Sequence, residues 1–103
     1  MGEVRDNPAM KRFEIDLGDG SIAIADYNRL SHAIMFTHTE VPPAHEGQGI
    51  ARRLILAGLD AARREGLKVI PICPLFASYM KRHPETHDVL DPGYFKVLGI
   101  AED

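Results

Sequence analysis

Only one cysteine, Cys73, occurs in 103 residues. A single thiol cannot close a disulfide within the chain, and a reducing, cytoplasmic compartment is the expected setting. No segment approaches the roughly 20 apolar residues that cross a bilayer. Residues 1–6, MGEVRD, hold no apolar stretch of the kind that directs secretion, so neither membrane nor export is expected. Positive charge is not in excess: 12 Lys and Arg face 15 Asp and Glu, a formal net charge of −3. That balance argues against nucleic acid or an anionic membrane surface as the main partner. A second cysteine for a Cys-x-x-Cys redox pair is missing, and Cys73, His83 and His87 lack the spacing of a zinc site, so no metal is expected.

What is present is the pattern of one domain. Hydrophobic residues make up 45% and charged residues 26%, ordinary values for a globular protein. This length supports one core and not two, so residues 1–103 are read as a single domain. Residues 1–10 are polar and expected to be loose. Arg12 to Leu17 and Ser21 to Tyr27 alternate apolar and polar residues around Gly18-Asp19-Gly20, which reads as a hairpin with one wet face. His32 to Val41 is a third strand, apolar on both faces through Ala33–Phe36. Pro42-Pro43 stops it. Ile50 to Glu65 is an amphipathic helix with Gly66 at its end. Leu67 to Cys73 is a fourth strand, and Pro71 inside it demands an edge, a bulge or a splayed position. Pro74 opens a second helix over Leu75–His83 and Pro84 ends it. In the tail, YFKVL reads as a short last strand. The expected class is α+β, with an α/β-like β-α-β-α second half behind an antiparallel meander.

One stretch raises a chemical question. His45 to Leu54 reads HEGQGIARRL. Two glycines lead into a helix whose first turn carries Arg52 and Arg53, although a helix N-terminus is already positive and prefers acids. A glycine loop between a buried strand and a helix suits a phosphate, because the backbone can approach the ligand and the helix start offers free N–H groups. The Gly-Lys-Ser/Thr ending of a Walker loop is absent. A dinucleotide fingerprint would need a small residue where Arg52 stands.

From His38 onward the chain reads HTEVPPAHEGQGIARRLILAGLDAARREGLKVIPICPLFASYMKRHPE. With RFE and DGSIAIADY upstream, it closely resembles the minimal, YjdJ-type N-acetyltransferases of the GNAT superfamily over nearly its whole length. The superfamily pattern Gln/Arg-x-x-Gly-x-Gly/Ala is matched here by Glu46, Gly47, Gln48, Gly49, Ile50 and Ala51, with Glu46 departing from Gln/Arg. The resemblance implies acetyl-coenzyme A as co-substrate, its pyrophosphate over Gln48 to Ala51 and neutralising Arg52 and Arg53. It also implies a GNAT-like sheet with a splayed central strand pair, whose strand before the loop, at Thr39, Glu40 and Val41, pairs with the pantetheine arm. The acceptor it implies is an amine of unknown identity, and a monomer or weak dimer is expected. Tyr79 resembles the general acid of the family. Glu40 and His38 share one side of their strand, and either is placed to act as base. Cys73, just before a helix, is a candidate nucleophile or a small buried hydrophobe. The alternative function is a GNAT fold that holds coenzyme A as a sensor without turnover.

Overall fold

The computed structural model describes residues 2–101. Five strands form one sheet in the order β1 (Arg5–Asn7), β2 (Arg12–Asp16), β3 (Ile22–Arg29), β4 (Ala33–Glu40), β5 (Lys68–Pro71). The first four pair antiparallel, and β5 joins β4 in parallel. The crossover is α1 (Ile50–Glu65); α2 (Pro74–Arg82) follows β5, and a short α3 (Tyr94–Val97) lies near the end. This is the expected α+β arrangement. The parallel pair, however, stands at the end of the sheet and not in its middle.

Helix α1 forms where the 3.6-residue pattern placed it. It buries Ile50, Leu54, Ile55, Gly58, Leu59, Ala61 and Ala62, and leaves Leu56 exposed. Gly66 ends the helix in the left-handed region at φ 69°, and Leu67 N–H returns to the Ala62 carbonyl at 2.9 Å, the closure glycine makes easy. Gly58 faces the fully buried Phe36 ring, with no room for a side chain between helix and sheet there. Phe36 in turn stacks on Phe76 of α2, centroids 4.1 Å apart at 9°. One ring therefore joins sheet, α1 and α2, and burying a side chain of this size stabilises by about 1.5–3 kcal/mol.

Two expectations are corrected. Residues 1–10 are not uniformly loose, because Arg5–Asn7 pairs with Arg12–Glu14. Polar side chains fix that strand: Arg5, Asn7 and Arg12 all bond the Glu14 carboxylate, and Asp6 accepts from Tyr27 and Arg29. Glu14 is consequently buried on the face expected to be wet. Its pKa is lowered, first by the Arg12 hydrogen bond and against the cost of burial. The second correction is the tail. YFKVL does not form a strand: Tyr94–Val97 is a helical turn that packs Phe95 edge-on against His87, 5.6 Å between centroids.

A bulge in β4 sets the orientation of everything beyond it. Tyr27 pairs with Phe36, but Asp26 pairs with His38, so Thr37 is an extra residue. Thr39 then lies opposite buried Ala25 and shares the helix-covered face with Phe36. His38 and Glu40 lie on the opposite, helix-free face.

Candidate functional site

The parting of β4 from β5 is built by proline. Their register runs from Ala33↔Lys68 to Phe36↔Pro71 and stops. Pro71 has no N–H to extend the ladder, and the last bond is Cys73 N–H to the Phe36 carbonyl, 2.8 Å. Thr37 to Glu40 continue without β5 beside them.

The chain leaves β4 through Val41 and a single turn at Pro43–His45, then enters the glycine loop. Gly47 and Gly49 hold φ 80° and 76°, and a Cβ at either would meet nothing within 4 Å. Their backbone is thus both left-handed and open to solvent. Helix α1 starts at once with no side-chain cap and no acid in its first turn. Its first N–H groups lack the partners that most helix starts supply.

A cleft of about 370 Å³ opens over this helix start, walled by Thr39, Glu40 and Val41 on one side and by Gly47, Gly49 and Arg52 on the other. A second groove, of about 620 Å³, runs between α1 and α2 past Tyr79. Ala51, Arg52 and Leu75 line both openings, so they adjoin.

Of the sequence-derived candidates, Thr39, Glu40, Val41, Glu46, Gly47, Gly49, Ile50, Ala51 and Arg52 all line the first cleft. Gln48 does not line the cleft; its side-chain oxygen lies 3.2 Å from His45 Nδ1, which does. Arg53 does not join them: its guanidinium donates to the Gly2 carbonyl at 2.9 Å, one residue further round the helix. His38 and Glu40 do come together, Nε2 to Oε2 3.7 Å, with side chains 60% and 67% exposed. Tyr79 is buried except toward the groove, its ring stacked on His83 at 3.8 Å. Cys73 lines neither opening. The thiol is buried, with Sγ 3.2 Å from Thr39 Oγ1, because the bulge turns Thr39 onto it. Among the described residues no group of three or more His, Cys, Asp or Glu could hold a metal ion, and no helix is long and apolar enough to cross a membrane.

Sequence reasoning missed His45. Its Nε2 lies 2.8 Å from Asp19 Oδ2 in the β2–β3 turn, and its Nδ1 faces the Gln48 amide oxygen. Two acceptors around one ring favour the doubly protonated imidazolium. The His45 pKa is raised, chiefly by the Asp19 carboxylate and then by Gln48. Asp19 is lowered below the usual carboxylate range, first by the Ser21 hydroxyl and then by His45. The partners are 26 residues apart, and nothing local signals them. A pH signature follows. The Asp19 contribution to stability is present above its ordinary value of 3.8 and lost as pH falls through its lowered pKa. The His45 contribution is present below 6.5 and lost as pH rises through its raised pKa. The melting-temperature difference between wild type and His45→Gln should be largest between those ordinary values and shrink on the alkaline side. A difference that grows above pH 7 would contradict the pairing.

The profile of a family described as GCN5-related N-acetyl-transferase matches residues 12–89. Protein NATD1 of Gallus gallus and Protein NATD1 of Mus musculus are each 45% identical over 47 residues, 46% of this chain and 43% of theirs. Protein NATD1 of Homo sapiens is also 45% identical over 47 residues, 46% of this chain and 42% of its own. The match therefore spans less than half the length of these relatives.

Proposed function

The chain belongs to the GCN5-related N-acetyltransferase family, and from that premise we propose that it binds acetyl-coenzyme A in the cleft over the glycine loop and transfers acetyl to an amine. The observation that carries the reading is the helix start itself. It is uncapped, free of acids, led by two left-handed glycines with open space above them, and set at the head of a cleft. Those features suit a diphosphate: backbone N–H groups and the positive end of the helix face it, and no side chain stands in the way. Arg52 answers the question raised by arginine in a first helical turn, since an anion there makes its charge favourable. The end of β4 offers main-chain groups to an extended arm along Thr39–Val41.

Acetyl-coenzyme A, when bound, supplies an acyl group already activated as a thioester. The chain's part is proton handling and positioning. His38 and Glu40 lie on the helix-free face, where an acceptor ammonium can reach them, and Glu40 also borders the cleft. Either Nε2 of His38 or the Glu40 carboxylate takes the amine proton. The Tyr79 hydroxyl, at the wall of the adjoining groove, gives a proton to the departing sulfur. Cys73, buried against Thr39, packs the parting strands, which favours direct transfer to the amine over an acetyl-cysteine route.

The loop is tested with Gly49→Val. A β-branched residue at φ 76° is strained by roughly 1–3 kcal/mol, and its side chain fills the space above the backbone. Calorimetry should find that folded Gly49→Val no longer binds acetyl-coenzyme A while wild type does. Unchanged affinity would remove the phosphate-loop reading. Binding by wild type without acetylation of any amine in a broad panel would leave the non-catalytic coenzyme-binding module in its place.

A further inference from the structure

Among the described residues, the ionisable side chains that wall the cleft over the glycine loop are Glu40, His45, Glu46 and Arg52. Two carboxylates thus face one guanidinium. With His45 neutral these walls are net negative, which opposes a diphosphate. With His45 protonated they balance. Of the four, histidine alone has an ordinary pKa near neutrality, 6.5.

The ring is held in place, with its side chain 15% exposed. As an imidazolium it donates from Nε2 to Asp19 Oδ2 at 2.8 Å and from Nδ1 to Gln48 Oε1 at 3.2 Å. Asp19 is itself fixed by the Ser21 N–H and hydroxyl. The His45 backbone N–H donates to the Pro42 carbonyl at 2.9 Å. The cation therefore ties the residue between Gly47 and Gly49 to the β2–β3 turn. Asp19 retains the Nε2 proton, so deprotonation leaves an Nδ1 lone pair facing the Gln48 oxygen. The Gln48 amide must then turn over, and a charge-assisted bond becomes a neutral one. Asp19 also loses its counter-charge. Around the ring, Asp19 from the turn, Glu46 beside it and Glu40 from β4 favour the cation. Arg52 from α1 and the positive amino terminus act against it.

Resting on the coenzyme reading above, we propose that His45 is a positioning residue for the coenzyme: its imidazolium, clasped between Asp19 and Gln48, braces the glycine loop and offsets Glu40 and Glu46, so that the cleft takes up the diphosphate together with a proton. Binding and protonation then favour each other reciprocally. Affinity is full below the pKa of His45 in the free protein. It falls as pH rises from that value to the higher one of the complex, and levels off above it.

The test is calorimetric titration with coenzyme A of wild type, His45→Gln and His45→Lys at about pH 6 and about pH 9. Each variant is compared with wild type at the same pH, so that titration of the ligand and of the other histidines cancels. On the acid side wild type should bind about three- to tenfold more tightly than His45→Gln, and the gap should close on the alkaline side. His45→Lys, cationic at both values, should bind more tightly than wild type on the alkaline side. Proton NMR of the wild-type His45 ring needs no variant: its titration midpoint should move up when coenzyme A is added. A ratio of wild type to His45→Gln that is the same at both pH values makes the ring a neutral brace and overturns the proposal. So does a midpoint that coenzyme A leaves in place, or a His45→Lys protein no better than His45→Gln on the alkaline side. The coenzyme reading survives each of these results. Wild type that binds no coenzyme A at either pH overturns both.

Discussion

Replacing Tyr79 with phenylalanine is expected to lower acetyl transfer by about 10²–10⁴-fold and to leave the affinity for acetyl-coenzyme A nearly unchanged. The substitution keeps the aromatic body, which is buried and stacked on His83 at 3.8 Å, and removes only the hydroxyl. Among the described residues that hydroxyl makes no hydrogen bond to the protein, and no buried side-chain N or O atom lacks a partner. The group therefore sits at the wall of the groove and not inside the core, and its loss leaves no orphaned polar atom. Stability should accordingly be preserved, which separates this variant from a packing mutant. Steady-state kinetics alongside a thermal melt decides the matter: a protein with normal turnover assigns Tyr79 to packing, and one whose rate and coenzyme affinity fall together assigns it to binding.

Gly58→Val is expected to destabilise the fold by about 3 kcal/mol, a large share of a small domain's total. A Cβ at this position would stand 2.6 Å from Phe36 Cζ, 2.9 Å from Cε1 and 3.3 Å from Phe76 Cε2. The obstructing atoms belong to two stacked, fully buried rings, so neither can swing aside. Gly58→Ala decides which effect wins. Alanine gains about 1 kcal/mol in helix propensity, whereas overpacking a tight core costs about 1–3 kcal/mol or more. The contact distances favour a net loss of roughly 1–2 kcal/mol for alanine, partly recovered when Phe36→Leu makes room. Urea denaturation of the three proteins measures this. Gly58→Ala at or above wild-type stability would mean that helix and rings part more easily than the distances imply.

Much of this architecture is legible in the chain. Gly58 falls on the apolar face of a periodic helix, Gly66 marks the helix end, and Pro71 forecasts that the sheet stops there. The glycine loop could be read as a candidate phosphate site because its features are local: small residues, a helix start, no acids. Other features depend on distant partners. The burial of Glu14 needs Arg5 and Asn7 from another strand, and His45 needs Asp19 from the far end of a hairpin. The extra residue at Thr37 has no signature in an unbroken run of strand-forming residues. Without it Glu40 would share the face of Phe36, so the side of the sheet on which Glu40 lies is decided by a feature that alternation alone does not reveal. The tail resisted reading because Tyr94, Phe95 and Leu98 fit a strand by type, and only packing against the core selects a helical turn.

The two ends of the sheet bear on how copies of the chain behave when concentrated. An uncovered outer strand is a template for another chain, and soluble proteins protect such margins. Here β1 is three residues long and two of them are charged. At the other margin, Val69 N–H donates to the Val89 carbonyl at 2.6 Å and its own carbonyl accepts from Asp91 at 2.9 Å, while Pro71 offers no donor at all. Residues 89–91 thus occupy the hydrogen bonds that a neighbouring molecule would need. Growth of the sheet from molecule to molecule, the first step toward aggregation, is opposed along β1 by charge and brevity and along β5 by the chain itself, which leaves the stretch of β4 beyond Phe36 as the edge without a neighbouring strand.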